Sequence, residues 1–199
     1  MRRSTILSAA VLAASALVLT GCSAGEPDVA AVDLGAAGEI TEPGTTLAFE
    51  APAWVDADGA TVGVTVLDII EKDESFWNEA DAETFAGQTP YLIVTQFQYP
   101  EGTNEDERPQ IALYPIYEDG TDAQYVVTEG IASISEEVSN ACELNLAGYD
   151  ADTASEVTCF IGSADAGKPI TGVIYPNHGY NEQFIDPENL YFDSPVTWQ

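Results

Sequence analysis

"TVGVTVLDII" (residues 61–70) carries the first decision about the fold. Val62, Val64 and Val66 recur with period two, the spacing that lines one face of a strand. Leu67 and Ile69 then take the other parity. Such a change predicts a β-bulge, or a strand covered on both faces. "TPYLIVTQFQY" (89–99) reads as a second long strand, apolar on both faces at its start and alternating later.

The pattern continues on either side. "TTLAFE" (45–50) is a short strand, and "APAWVDADGA" (51–60) holds the turn-forming pair Asp58-Gly59. "QIALYPIYEDGTDAQYVV" (110–127) predicts a hairpin around Glu118-Asp119-Gly120. Pro115, with no N–H to give, places the first arm at a sheet edge. "EVTCFIG" (156–162) and "PITGVIYP" (169–176) predict another hairpin across "SADAGK", and "NLYFDSPVTW" (189–198) closes the chain. Two segments break the period. "ESFWNEADAETFA" (74–86) admits a short helix with Phe76, Trp77 and Ala80 inward. "SISEEVSNACEL" (133–144) places Ile134, Val138 and Cys142 at helical spacing behind a Ser133–Glu136 capping box. For each, a loop is the alternative. Many short strands with turn signals and no internal repeat predict an all-β fold, a single antiparallel β-sandwich over residues 44–199.

The N-terminal end is of another kind. Arg2 and Arg3 precede an apolar run from Ile6 to Leu19, the layout of an export signal and too short for a membrane span. Leu19-Thr20-Gly21-Cys22 resembles the lipobox of bacterial lipoproteins. That resemblance implies cleavage after residue 21, a diacylglyceryl group on Cys22, and anchoring at the extracytoplasmic face of the cell membrane. An ordinary secretory signal is the alternative. Residues 22–43, rich in Gly, Ala, Pro and acids, read as a flexible tether spanning on the order of 25 Å.

All 34 acidic residues follow Cys22, where only Lys72, Arg108 and Lys168 are basic, for a net charge near −31. Such a field repels nucleic acid and excludes a phosphate-backbone partner. It leaves membrane lipid through Cys22, and a surface protein or envelope component, as the expected partners.

The features from 44 to 199 resemble those of immunoglobulin-like lipoproteins of unknown function from high-GC Gram-positive bacteria. The residues concerned are "ATVGVTVLDI", "TPYLIVTQFQYPEG", "YEDGTDAQY", "SADAGKPITGVIY" and "LYFDSPVTW". The long connection 74–88 and "QFQYPEG" depart from that pattern. The resemblance implies an immunoglobulin-like sandwich and no particular activity.

Chemistry-bearing residues are few. In an exported protein Cys142 and Cys159 are expected to form a disulfide, with a metal pair or a reactive thiol as alternatives. His178 is the single histidine, and no Gly-x-Ser-x-Gly motif offers it a nucleophile. Carboxylates abound, but a glycosidase needs two of them converging in a cleft. "DADG" (56–59), "EDGTD" (118–122) and "DADTASE" (150–156) offer oxygen ligands for calcium, yet surface turns use the same residues. No catalytic residue, cofactor or metal is therefore expected. The function predicted is a non-catalytic binding module, the alternative a small carboxylate-based cell-wall hydrolase. "YPNHGYNEQF" (175–184) is the candidate binding loop, with Tyr175, His178, Tyr180 and Phe184 supplying contact area.

Overall fold

The computed structural model describes residues 31–34, 37–57, 59–77, 83–109, 111–126, 148–176 and 190–199. They form β1 (Thr46–Leu47), β2 (Ala53–Ala57), β3 (Ala60–Glu71), β4 (Gln88–Gln98), β5 (Tyr114–Tyr117), β6 (Gln124–Val126), β7 (Ser155–Asp165), β8 (Ile170–Tyr175) and β9 (Val196–Trp198). One sheet has the order β2-β3-β4-β7-β6 and the other β1-β9-β8-β5. The two pack as a sandwich, so the all-β expectation holds. Among the described residues there is no α-helix, and none long and apolar enough to cross a membrane.

The valine stretch explains the packing. Val66 pairs with Thr95 but Asp68 pairs with Val94, so Leu67 is the extra residue of a β-bulge. Before the bulge Val62, Val64 and Val66 face the other sheet; after it Ile69, opposite Ile93, returns to that face. Leu67 turns outward against Val94 and Val157. Both readings of the parity change are realised. The larger sheet is therefore apolar on both sides.

Between the sheets, Val55, Val62, Val64, Val66 and Ile93 meet Val173, Tyr175, Val196 and Trp198, all essentially inaccessible to water. The outer face is covered in part by the connection after β3. There Trp77 and Phe85 stack at 4.2 Å, with an interplanar angle of 15°, in a cluster with Leu92, Val126 and Ile161. Among the described residues of 74–86, where the sequence admits a short helix or a loop, there is a 3-10 turn, Glu74–Phe76, capped by the Asp73 carboxylate. Phe76 and Trp77 do turn toward the sheet; Ala80 lies outside the described residues. So does the whole of 133–144.

Both expected hairpins need correction. The chain does reverse at 117–121, where Gly120 N donates to Tyr117 O and Tyr117 N to Thr121 O, each at 2.9 Å. Its arms stay paired only beside the turn, through the Ile116–Asp122 bridge and the Ala123 amide to the Pro115 carbonyl at 2.9 Å, and then part, β5 joining β8 in the smaller sheet and β6 joining β7 in the larger one. Likewise β7 and β8, linked through Gly167 at φ 78°, belong to different sheets. A turn signal encodes reversal, and in a sandwich a reversal often carries the chain across the layers. Pro115 is at an edge, as expected, since β5 ends its sheet.

The tether expected over 22–43 is shorter than its composition implied. Val32 hydrogen-bonds Gln96 through both its N–H and its carbonyl, Leu34 is buried, and Thr41 pairs with Trp54. From Val32 onward the described residues are docked on the sandwich. Its Gly/Ala/Glu-rich composition does not preclude docking by backbone groups.

Candidate functional site

Strand register places several connections at one end of the sandwich. There β2 turns into β3, β4 runs out at Gln98, β7 begins at Ser155, and β8 ends at Tyr175 beside Val196 of β9. The expected binding loop starts here, but Tyr175 is not part of any surface. Its ring is 1% exposed and sits 5.4 Å from that of Tyr191, and its hydroxyl donates to the Asp56 carbonyl at 2.8 Å. As the last residue of β8 it follows the period-two rule and faces inward. Tyr175 is a core residue. His178, Tyr180 and Phe184 lie outside the described residues, as do Cys22 and Cys142. Cys159 is half-buried on the outer face of β7, opposite Val94.

A polar cluster unforeseen in the sequence occupies the same end. The Tyr99 hydroxyl donates to Glu156, which also pairs with the Arg108 guanidinium. Arg108 Nε donates to the Glu105 carbonyl at 2.8 Å, and its guanidinium lies 5.1 Å from the centre of the Tyr149 ring. The Tyr149 hydroxyl in turn donates to the Thr103 carbonyl. Partners 48 and 57 residues apart leave no trace in local sequence. With a phenol on one oxygen and a guanidinium on the other, Glu156 ties the 99–108 connection to β7. The arrangement is suited to holding loops rather than to moving protons.

Tyrosine acidity reflects the same packing. Burial, reinforced by the hydrogen bond to Glu156, drives Tyr99 well above the ordinary phenol value. At the opposite end burial pushes Tyr91 up to about 12, aided by its 2.9 Å bond to Glu71. Tyr191 is raised by burial as well. Raised folded values mean the native state holds these protons more tightly than the unfolded chain does. Their contribution to stability is therefore complete below about pH 10 and is lost as pH climbs past it toward 12. Thermal melts should show a Tm that falls steeply above pH 10. A flat profile from pH 9 to 12 would contradict the packing of these rings.

The acidic turns are built on their own carboxylates. Asp56 accepts from the Gly59 amide, Asp119 from the amide and hydroxyl of Thr121, and Asp150 from the Asp152 amide. These bonds hold Asp119 and Asp150 below the ordinary carboxylate range, and bonds from Ser75 do the same for Asp73. Among the described residues, no group of three or more His, Cys, Asp or Glu side chains is arranged to hold a metal ion.

Exposed apolar side chains mark this end too. Among the described residues the large hydrophobic groups left to solvent are Ile40 (44%), Leu190 (74%) and Phe192 (41%). They belong to two segments that run alongside each other. The Tyr191 hydroxyl donates to the Thr41 carbonyl at 3.1 Å, and the Gly44 amide to the Ser194 carbonyl at 2.7 Å. Leu190 and Phe192 flank the buried Tyr191, which accounts for their outward direction.

No protein-family model, no curated protein and no solved structure is significantly similar to this chain.

Proposed function

We propose that the protein is an extracytoplasmic lipoprotein, anchored to the membrane through Cys22, whose immunoglobulin-like sandwich binds a surface protein or envelope component. Its contact surface is the end bearing Ile40, Leu190 and Phe192. The observation carrying the binding reading is the convergence of these exposed side chains on two segments joined by the Tyr191 hydroxyl and by a backbone hydrogen bond. An apolar group held on a rigid framework loses little entropy on association. A surface this acidic keeps such a patch from nonspecific collapse.

The immunoglobulin-like reading rests on strand order. β3-β4-β7-β6 facing β9-β8-β5 corresponds to the two-sheet Greek key of that fold, with β1 and β2 added at the edges. It departs from antibody domains in having no cysteine on β4 or β8 to join the sheets. A Cys142–Cys159 bridge on the outer face is proposed instead, supported by the oxidising conditions that an exported protein meets. The hydrolase alternative has less support. The Asp73, Asp119 and Asp150 carboxylates are taken up in bracing their own turns.

The test is site-specific photo-crosslinking in intact cells. A photoreactive phenylalanine analogue at position 192 is expected to yield a discrete covalent adduct with one envelope component. The same analogue at Glu118, exposed at the opposite end, should give none. Equal labelling from both positions, or none from either, would count against a binding end.

A further inference from the structure

The docked N-terminal segment, residues 32–34 and 37–41, is held by three devices on the outer face of the larger sheet and by the Tyr191 hydroxyl, which donates to the Thr41 carbonyl at 3.1 Å. At its start the Val32 amide donates to Gln96 Oε1 and Gln96 Nε2 donates back to the Val32 carbonyl, both at 2.8 Å. Midway, the Trp54 indole lies between two glycines. A Cβ on Gly63 would come within 3.0 Å of the ring, and one on Gly38 within 2.6 Å. At the far end the Thr41 amide donates to the Trp54 carbonyl at 2.7 Å, and the Trp54 amide to Thr41 Oγ1 at 2.9 Å.

One feature opposes docking. Thr65, directly across from Gln96, is fully buried, and its hydroxyl has no hydrogen-bond partner. A buried hydroxyl without a partner carries a desolvation penalty that disappears once water reaches it. Releasing the segment from Gln96, and with it opening the site across from Thr65 to water, therefore recovers part of what the broken hydrogen bonds lose.

The position of this segment in the chain gives it a consequence. Between Cys22 and Val32 there are ten Cα steps, a reach of at most about 35 Å. With the segment released, the first fixed point is Gly44, bonded to Ser194, and 22 steps reach at most about 75 Å. We propose that residues 32–34 and 37–41 form a reversible strap that sets how far the domain stands from its lipid anchor. Docked, it keeps the sandwich close to the bilayer; released, it carries Ile40 away with it and roughly doubles the reach of the Leu190 and Phe192 that remain on the sandwich. The strap itself is independent of lipidation, while its effect on height rests on the reading of Cys22 as an anchor.

The experiment uses the full lipidated protein on phosphatidylcholine bilayers, read by amide hydrogen exchange and by neutron reflectometry. In the wild type the Val32 and Thr41 amides are expected to be protected. Gln96→Ala should speed exchange at Val32 by tenfold or more and raise the mean height of the domain. Gly38→Ala should do so at Thr41. Thr65→Val, which keeps the shape and removes the orphan hydroxyl, should slow exchange at Val32. The Ile93 amide in β4 serves as the control and should change little in any variant. A wild-type Val32 amide exchanging as fast as an unfolded chain, or Thr65→Val failing to slow it, would overturn the strap. An unchanged height in Gln96→Ala would overturn its effect on reach. Failure of the wild type to stay on the bilayer would overturn the anchoring, a result distinct from a bound protein with an unprotected Val32.

Discussion

Replacing Trp198 by alanine is expected to destabilise the protein by about 3–5 kcal/mol, the usual cost of emptying a fully buried Trp site. Trp198 is inaccessible to water, packs between the sheets, and donates its indole N–H to the Ala51 carbonyl at 2.9 Å. It therefore joins β9 in one sheet to the segment leading into β2 in the other. The truncation leaves both a cavity and an unpaired carbonyl. For a domain of this size the loss corresponds to a fall in Tm of roughly 6–20 °C. Calorimetry checks it. A shift below about 2 °C would mean that the closing strand is not part of the core.

The second large effect concerns the proposed Cys142–Cys159 bridge. Its 17-residue separation gives a stabilisation of about 3 kcal/mol by constraining the unfolded chain. Reduction should lower the denaturant midpoint accordingly, and non-reducing peptide mapping should recover the two cysteines in one linked fragment. Two free thiols on protein isolated from the envelope would dismiss the bridge.

Those parts of the fold that depend on neighbouring residues were legible in the sequence. The parity change between Val66 and Leu67 announced the bulge, and Pro115 announced an edge strand. Gly59, Gly120 and Gly167 marked real reversals. Sheet membership was not legible. β5 and β6 follow one tight reversal yet enter different layers, because pairing is decided by distant strands, β8 and β7. The same limit applies at the candidate site. Tyr175 looked like a loop aromatic because a turn signal follows it, although its strand parity already pointed inward. Arg108, Glu156, Tyr99 and Tyr149 meet only through the fold. The docked segment before β1 escaped notice for a different reason. It binds through backbone amides, one glutamine and two glycines around an indole, none of which produces hydrophobic periodicity.

The reading of this chain as a lipid-anchored surface module depends most on Cys22. Mass spectrometry of the N-terminal peptide from protein extracted out of native membranes tests it directly. The account predicts a mature chain that begins at Cys22 and carries a diacylglyceryl group on its sulfur. An unmodified N-terminus, whether at Met1 or at another cleavage point, would contradict it.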